Sequence, residues 1–330
     1  MHLSPVGLPS APAAFTTEGQ RVSGMFAGAI DDLSTATWDG NCGLCSPRRL
    51  QRKGWLYVGL TAPRFQIGFA VVDAGLIATA FVYIFDRETG QLHEEKCLRP
   101  LGFAAVFAPD WRRPWHVESG ARRWQMAHDG SVWHLTFVGP ALQLKARVED
   151  HGRGISVISA APGRPFHHTY KLGGLAAQMT MNRDAGTETF EVRANVDFSL
   201  GYPPRETVWN WASLDGVTDE GQPFAVNLVA HFLNGLENAL WLGDGVVPLP
   251  QALFDYSPDD PLAPWRIRTV DDRINLVFTP EGQRRENLNI GLLKSIFTQP
   301  FGPFSGRLTT ASGRRSISGH GVVEAHQARW

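Results

Sequence analysis

Cysteine is scarce in this sequence, with three residues among 330. Cys42 and Cys45 form an isolated C-x-x-C, and Cys97 lies far from both. A structural zinc site would need a second cysteine pair or a histidine pair at matching spacing, and none is evident. We interpret the C-x-x-C as a turn of small residues, with redox or metal use as the alternatives. So few cysteines also favour a reducing compartment.

Targeting and membrane-spanning segments are lacking as well. Residues 1–15 contain no basic stretch and no sustained apolar stretch, and their prolines oppose a helix. No stretch reaches the ~18 apolar residues of a transmembrane helix. The best candidate, residues 67–85, is interrupted by Asp73. The sequence therefore predicts a cytoplasmic protein with no integral membrane association.

Excess charge of either sign is absent. The chain has 31 basic and 32 acidic residues and a formal net charge of -1, whereas nucleic-acid binding usually requires a basic face. We therefore expect no nucleic-acid partner. The sequence also lacks the G-x-S-x-G, P-loop, G-x-G-x-x-G and H-E-x-x-H motifs. We expect no cofactor and no bound metal, and the oligomeric state stays open.

Aromatic and turn-forming residues are plentiful: 11 Trp, 19 Phe, 34 Gly and 22 Pro. This composition is typical of β-rich chains with many turns. Period-two alternation recurs along the sequence, while no window of ordinary length shows a persuasive period of 3.6. Residues 65–85 and residues 124–138 each read as two strands around an Asp- and Gly-containing turn. The sequence predicts an all-β fold with little helix.

Residues 205–245 give the clearest pattern, that of a β-meander. Trp209 and Trp211 are two apart, so on a strand they share one face. A turn at residues 214–216 precedes an alternating strand at residues 224–232. Asn234-Gly235 is a strong hairpin dipeptide, and the strand expected after it ends near Asp244.

Related patterns occur in the first half of the chain, which indicates an internal repeat. The spacings of the matching residues agree to within a loop-sized deletion; chance similarity of β-rich sequences is the alternative. The matches are Trp55-Leu-Tyr57 with Trp209-Asn-Trp211, Phe69-Ala-Val with Phe224-Ala-Val, and Trp124, Leu135 and Phe137 with Trp265, Leu276 and Phe278.

This length exceeds the usual size of a single domain, and an open meander must hide its edges. We therefore predict two tandem, lipocalin-like β-barrels that pack together. The boundaries that we expect are an N-terminal arm at 1–20, a first barrel-like unit at 21–165 and a second at 166–330.

Several segments together resemble a bacterial family known as domain of unknown function 2804. They are RETVWNW, the L-D-G turn, LENALWLGDG and the ending GHGVVEAHQARW. The resemblance spans about residues 40–330. That family is similar in turn to a group containing hydroxyneurosporene synthase (carotenoid 1,2-hydratase), tocopherol cyclase, lipocalin-like Diels–Alderases and AttH-like proteins. The resemblance implies tandem lipocalin-like barrels, a cavity at or within them and no organic cofactor. It also implies an apolar substrate whose carbon–carbon double bond is protonated, hydrated or cyclised.

Three residues are candidates for that acid–base chemistry. Asp244 ends the W-L-G-D-G strand, where tryptophans would keep a carboxyl neutral; the alternative is a turn in which Asp244 caps backbone amides. Glu237 lies between aromatic residues, where a buried carboxylate is either functional or ion-paired. On an unbroken strand these two carboxylates would face opposite sides. His231 is a candidate general acid–base, or a histidine satisfied within the core.

The candidate substrate-binding residues are mostly aromatic. Indole rings suit the stabilisation of a carbocation, although they also serve as ordinary barrel core. Glu324 and His326 share a strand face, where a carboxylate can orient an imidazole; a surface pair on a closing strand is the alternative. The full set comprises Trp55, Tyr57, Trp209, Trp211, Asn227, Trp241, His167, Tyr170, Glu324 and His326.

These considerations predict a cofactor-independent lyase, hydratase, isomerase or cyclase that acts on an isoprenoid, lipid or aromatic alkene in an aromatic-lined cavity. The alternative is a non-catalytic, lipocalin-like carrier of a hydrophobic ligand. A carboxylate and a histidine that converge inside the cavity would favour the enzyme, and a wholly apolar lining would favour the carrier.

Overall fold

The protein is almost entirely β-structure. Its one helix among the described residues is α1 (Pro47–Gln51), which is too short to span a membrane. This confirms the prediction of an all-β fold with little helix. Cys42, Cys45 and Asn234 lie outside the described residues. The computed structural model describes residues 7–17, 20–34, 47–102, 105–107, 110–159, 166–183, 186–232, 235–289, 291 and 293–330.

The larger of two extended sheets has thirteen antiparallel strands. Two short strands, β1 (Thr16–Thr17) and β2 (Gln20–Arg21), pair separately before it. The strands of the larger sheet are β3 (Gly24–Ala27), β4 (Lys53–Thr61), β5 (Phe65–Asp73), β6 (Ile77–Asp86), β7 (Gln91–Pro100), β8 (Ala105–Val106), β9 (Trp115–Ser119), β10 (Arg122–His128), β11 (Val132–Val138), β12 (Leu142–Glu149), β13 (Ile155–Ser159), β14 (His167–Arg183) and β15 (Gly186–Gly201). They are ordered β7-β6-β5-β4-β15-β14-β12-β11-β10-β9-β8, while β13 joins β14 to β3.

The second sheet has ten antiparallel strands. They are β16 (Glu206–Thr218), β17 (Pro223–Ala230), β18 (Ala239–Leu242), β19 (Gly245–Pro248), β20 (Ala252–Asp255), β21 (Trp265–Thr269), β22 (Ile274–Phe278), β23 (Gly282–Asn289), β24 (Lys294–Thr310) and β25 (Gly313–Arg329). Their order is β19-β18-β17-β16-β25-β24-β22-β21-β20, and β23 also pairs with β24. Both sheets curl and nearly close, forming a barrel and a half-barrel, so the tandem-barrel prediction is confirmed.

The internal repeat is visible in the strand order of the two sheets. Each has a long hairpin, β14–β15 or β24–β25, followed on one side by β4-β5-β6-β7 or β16-β17-β18-β19. The W-x-Y and W-x-W motifs therefore occupy equivalent strands, β4 and β16. Trp124 and Trp265, which the sequence matched, do not occupy equivalent strands. Trp124 is on β10, the third strand from its long hairpin, and Trp265 is on β21, the second strand from its own. Sheet membership changes between Gly201 and Glu206, whereas the predicted unit boundary lies at residue 165.

Alternation explains which strands face solvent. In β12, residues 142–149 alternate between buried and exposed side chains along the whole strand, as expected for a barrel wall with one wet face. Strand β4 is instead buried on both faces. Leu56, Val58 and Leu60 enter the barrel core, while Trp55 and Tyr57 pack in a separate aromatic cluster. That cluster lies between the two sheets.

The equivalent strands β4 and β16 meet across this interface. The rings of Trp55 and Trp209 are nearly parallel, with centroids 6.4 Å apart and planes at 7°. Tyr57 contacts Trp211 edge to face at 5.4 Å. The paired motifs of the repeat therefore pack against each other. Ion pairs close one side of the interface. Glu94–Arg284 and Lys96–Glu286 join β7 to β23, and Arg87–Glu281 joins the β6–β7 turn to the residue before β23.

The described part of the expected N-terminal arm packs onto the first sheet. Phe15 is buried and stacks on Phe166 with ring centroids 4.3 Å apart. The amide of Ala11 donates a hydrogen bond to the Ala27 carbonyl. Residues 7–17 are thus held by apolar packing and by backbone hydrogen bonds.

Candidate active site

Three neighbouring strands of the second sheet place a histidine between two aromatic rings. His326 on β25 lies opposite Trp209 on β16 and opposite Phe297 on β24. Its ring centroid is 4.0 Å from that of Trp209 and 5.0 Å from that of Phe297. The imidazole is therefore held between the Trp209 and Phe297 rings.

A carboxylate orients this imidazole. His326 Nδ1 is 3.1 Å from Glu324 Oε1, and His326 Nε2 is 2.9 Å from Ser295 Oγ. Glu324 also accepts hydrogen bonds from Trp209 Nε1 at 3.0 Å and from Gln299 Nε2 at 2.8 Å. Because an ionised carboxylate can only accept, Nδ1 carries the donated proton and Nε2 presents its lone pair.

The first sheet supplies the opposite wall of a cavity of about 490 Å³ between the sheets. This volume falls within the usual range of small-molecule sites, about 300–1,000 Å³. The lining is largely aromatic and aliphatic, with several charged groups. From the first sheet it includes Trp55, Tyr57, Ala70, Val72, Ile77 and Phe81.

A buried ionic trio lines the same cavity. Lys171 Nζ lies 2.6 Å from Asp197 Oδ1 and 3.1 Å from Glu237 Oε2. Burial acts to lower the pKa of Lys171, but the two carboxylates outweigh it and raise that pKa. Burial raises the pKa of Glu237, with a further contribution from Asp197, and Lys171 offsets this only in part. Glu237 is therefore the member of the trio suited to hold a transferable proton.

Arg284 adds a cation from the second sheet. Its guanidinium lies over the Phe81 ring at 3.8 Å and over the Phe297 ring at 4.8 Å, and it is ion-paired to Glu94. It thus joins both walls of the cavity. Within the described ranges, no cluster of three or more His, Cys, Asp or Glu side chains could hold a metal ion.

Comparison with known families gives a match to the family described as Domain of unknown function (DUF2804) over residues 17–330. The chain belongs to this family. A search among curated proteins finds no match to the DUF2804 protein.

Solved structures share its fold. An AttH-like protein from Nitrosomonas europaea has a TM-score of 0.55 at 16% identity, over 83% of this chain and 92% of that chain. CghA has a TM-score of 0.53 at 9% identity, over 85% and 88%. Kievitone hydratase from Nectria haematococca has a TM-score of 0.48 at 12% identity, over 83% and 88%. At such identities, the first two likenesses show the fold alone.

Seven of the residues predicted from the sequence of the DUF2804 protein line the interface cavity. Four of them were expected in two pairs, Trp209 with Trp211 and Glu324 with His326. The two pairs are cross-strand neighbours, since Trp209 pairs with His326 and Trp211 with Glu324. The seven are Trp55, Tyr57, Trp209, Trp211, Glu237, Glu324 and His326.

Asp244 and His231 lie outside the cavity. Asp244 is fully exposed on the β18–β19 turn, where it forms an ion pair with Arg153 at 2.6 Å. It therefore lacks the aromatic wall that would keep its carboxyl neutral. His231 is exposed at a bend with φ of 68°, because β17 ends at Ala230. The alternation on which its inward orientation depended stops one residue earlier.

Four other predicted binding residues are buried but do not line the cavity. Asn227 accepts a hydrogen bond from Trp211 Nε1 at 2.8 Å and donates one to the Glu237 carbonyl at 2.8 Å. It therefore supports two cavity residues from behind. Trp241 donates to the Arg153 carbonyl at 2.7 Å.

The other two are on β14 of the first sheet, where the His167 ring packs against Trp55 and Phe232 at the interface and Tyr170 packs in the barrel core. His167 Nε2 is 2.6 Å from Ser199 Oγ, and burial lowers the pKa of His167 to about 3. Tyr170 stacks on Trp111 with centroids 5.2 Å apart, and burial raises the pKa of its hydroxyl. Both residues are neutral at pH 7 and act in packing.

Sequence reasoning missed several polar cavity residues. Asp197 pairs with Lys171 from the neighbouring strand. Ser295 and Gln299 gave no signal, because their roles depend on pairing with β25 across the sheet. Lys171 follows two histidines and a tyrosine in HHTYKLGG. Its burial marks it as a cavity residue, and nothing in the sequence shows that this lysine is buried.

Proposed function

We propose that this protein is a cofactor-independent acid–base catalyst that acts on a hydrophobic small molecule bound between its two sheets. Supporting this is one observation above all: two separate proton-transfer groups face the same aromatic cavity. One is the oriented imidazole of His326, and the other is the buried carboxyl of Glu237.

In this proposal Glu237 is the general acid. Its side chain is 1% exposed, and burial raises its pKa, so it retains a proton at higher pH than an ordinary glutamate. A neutral carboxyl in an apolar cavity can protonate a carbon–carbon double bond or a carbonyl oxygen. Lys171 then stabilises the carboxylate left behind, because its ammonium lies 3.1 Å from Glu237 Oε2.

His326 completes the reaction as the base. Its Nε2 accepts a proton from the substrate or from an attacking water, and Glu324 stabilises the imidazolium that forms. Protonation at one carbon and deprotonation at another give an isomerisation or a cyclisation. Protonation followed by addition of water gives a hydration, and the reverse reaction is a lyase reaction.

The walls indicate the class of substrate. Trp55, Trp209 and Trp211 line the cavity, and indole faces attract a developing carbocation, an effect worth about 2 kcal/mol in a desolvated site. An isoprenoid, lipid or aromatic alkene fits such walls. A carrier would need no oriented proton donors, so the charged lining favours the enzyme over the carrier.

Deuterium transfer from solvent tests this proposal. The full chain is incubated in D2O with a panel of isoprenoid alkenes, vinylphenols and conjugated ketones, and each compound is analysed by mass spectrometry for incorporated deuterium or added D2O. We expect at least one compound to exchange, and we expect Glu237→Gln and His326→Gln each to lower that rate by at least ~100-fold. The rate should also fall on the alkaline side as Glu237 ionises.

Asp244→Asn is the matched control, because this carboxylate is exposed on a turn away from the cavity. It should exchange at the wild-type rate. Undiminished rates in both cavity variants would place the proton donors elsewhere. Tight binding of panel compounds with no exchange of any of them would support a carrier.

A further inference from the structure

One hydroxyl in the cavity has no role in the acid–base mechanism. Ser295 is the second residue of β24, where it pairs with Ala328 of β25. Phe297 pairs with His326 in the same ladder. Ser295 and His326 are therefore diagonal neighbours on one face of the sheet, within reach of each other's side chains.

A chain of hydrogen bonds runs from Ser295 through His326 to Glu324. Ser295 Oγ lies 2.9 Å from His326 Nε2, and His326 Nδ1 lies 3.1 Å from Glu324 Oε1. With the Nδ1 proton donated to the carboxylate, the Nε2 lone pair faces the serine hydroxyl. Nucleophile, base and orienting carboxylate follow one another at the distances that activation of a serine requires, about 2.6–3.2 Å.

Two further contacts hold the carboxylate and so fix the imidazole. Trp209 Nε1 binds the oxygen that faces His326, and Gln299 Nε2 binds the other oxygen. Ser295 and His326 are each partly exposed and both line the cavity. A bound molecule can therefore reach the hydroxyl without rearrangement of the strands.

We propose that Ser295 is a nucleophile and that the cavity also cleaves carboxylic esters of hydrophobic acids or alcohols. This goes beyond the proposed acid–base function, which does not use Ser295. Ser295 Oγ attacks the ester carbonyl carbon, and its proton passes to His326 Nε2. The C–O bond to the alcohol then breaks, and the alcohol leaves with that proton.

Water completes the cycle. His326 takes a proton from a water molecule, the resulting hydroxide attacks the acyl carbon, and the bond to Ser295 Oγ breaks as the serine regains its proton. The products are one carboxylic acid and one alcohol, with no external oxidant or reductant. Arg284 stacks on Phe297 beside His326, lines the same cavity and is ion-paired to Glu94 through Nε. In this proposal its other N–H groups donate to the tetrahedral oxyanion.

Covalent labelling tests whether Ser295 is a nucleophile or only a hydrogen-bond partner of His326. The full chain is treated with diisopropyl fluorophosphate, and the site of the adduct is mapped by peptide mass spectrometry. Hydrolysis of p-nitrophenyl butyrate is measured in parallel. We expect one adduct per chain on Ser295, and a rate that falls at least ~100-fold in Ser295→Ala and in His326→Gln.

Thr298→Ala is the control hydroxyl, because Thr298 is on the same strand and donates its hydrogen bond to Gln283. It should keep both the label and the rate. Ser295→Cys provides a second variant that retains a nucleophile; its thiol should react with iodoacetamide faster than Cys97 does. The inference is overturned if no adduct forms on Ser295, or if folded Ser295→Ala hydrolyses the ester at the wild-type rate.

Deuterium exchange separates this result from the proposed function. Ser295→Ala is therefore measured in both assays, and we expect its rate of ester cleavage to fall by a much larger factor than its rate of deuterium transfer, because the proposed acid–base reaction needs His326 but forms no bond to Ser295. Loss of ester cleavage alone therefore leaves the acid–base proposal standing. Loss of exchange in Glu237→Gln with intact ester cleavage supports both proposals, since Glu237 has no part in activating Ser295.

Discussion

Two clusters in the described part of the chain each join a histidine, a carboxylate and a tryptophan, with aspartate in one and glutamate in the other. Inside the first barrel, His128 Nε2 and Trp133 Nε1 each lie 3.2 Å from Asp150 Oδ2. In the interface cavity, Glu324 accepts from Trp209 and pairs with His326 in the corresponding way. Composition and hydrogen bonding alone would make these two clusters equivalent.

Their surroundings make them different. His128 Nδ1 accepts a hydrogen bond from the Gly130 amide, and Trp111 packs edge to face against the ring at 4.9 Å. Both ring nitrogens of His128 are thus committed to the protein. His326 has one nitrogen bound to its carboxylate, and the other faces a hydroxyl and a cavity of about 490 Å³. A site arises here because two curved sheets meet without filling the space between them.

The largest effect that we expect concerns the ionic trio of the cavity. Lys171→Met leaves the Asp197 carboxylate and the Glu237 carboxyl buried without a cation, and such a loss typically costs about 3–5 kcal/mol. Urea unfolding at pH 7 measures it. The double variant Lys171→Met, Asp197→Asn should recover part of the loss, because it removes the carboxylate that is left unpaired. Equal stability of Lys171→Met and the wild type would show that the trio is solvated.

Asp215 tests burial without a strong counter-charge. Burial raises its pKa to about 7, against the opposing effects of Arg193 at 3.8 Å and of a hydrogen bond from Asn195. The folded state therefore binds a proton that the unfolded state releases, and stability falls as pH rises from about 4 to 7. The shift corresponds to at most about 4 kcal/mol.

The free energy of unfolding of Asp215→Asn, measured between pH 4.5 and 8, tests this contribution of Asp215 to the pH dependence of stability. The variant should lose the decline in stability toward neutral pH. Asp150 is the contrast inside the barrel, because its pKa is lowered by His128 and other donors despite its burial. A wild-type slope retained in Asp215→Asn would assign the pH dependence to another group.

The two histidines give the most direct test of the comparison. We expect His326→Gln to lower turnover by at least ~100-fold, about 2.7 kcal/mol in activation free energy, with little loss of stability. We expect His128→Gln to leave turnover unchanged and to lower stability by about 1–3 kcal/mol, because Asp150 loses a partner. Turnover and urea unfolding are measured on both variants. The reverse pattern would place the reactive site in the barrel.

Enlarging a buried alanine tests whether the barrel core and the cavity differ in packing, and we expect the smallest effect here. Ala194 is buried in the barrel core, whereas Ala70 lines the cavity. Ala194→Leu should cost about 1–3 kcal/mol through overpacking. Ala70→Leu should cost much less and should weaken binding of a fluorescent hydrophobic probe such as bis-ANS. Equal stability costs would indicate that the cavity closes in solution.

Much of the fold follows from local sequence patterns. Hairpins β5–β6 and β10–β11 lie where alternation around Asp and Gly predicts them. The shared faces of Trp209 with Trp211 and of Glu324 with His326 follow from the period of a strand alone. Alternation therefore predicts which side chains face together within a strand.

It does not predict which strands meet. The pairing of Trp209 with His326 joins residues more than a hundred positions apart, and no local pattern encodes that register. Strand ends were a second source of error. The predicted strand after Asn234-Gly235 begins at Ala239, so Glu237 lies in the connection, where its backbone is free to direct the side chain toward Lys171. Asp244 and His231 were misplaced for the same reason.

The long separation between β16 and β25 has a consequence during synthesis. At about 5–20 residues per second, the ribosome needs roughly 6–23 s after Trp209 to produce His326. For that time one edge of β16 lacks its eventual neighbour, and Trp209 lacks its contacts with Glu324 and His326. We expect this nascent intermediate to be the species that chaperones recognise, so expression yield should respond to chaperone supply more strongly than the stability of the finished protein suggests.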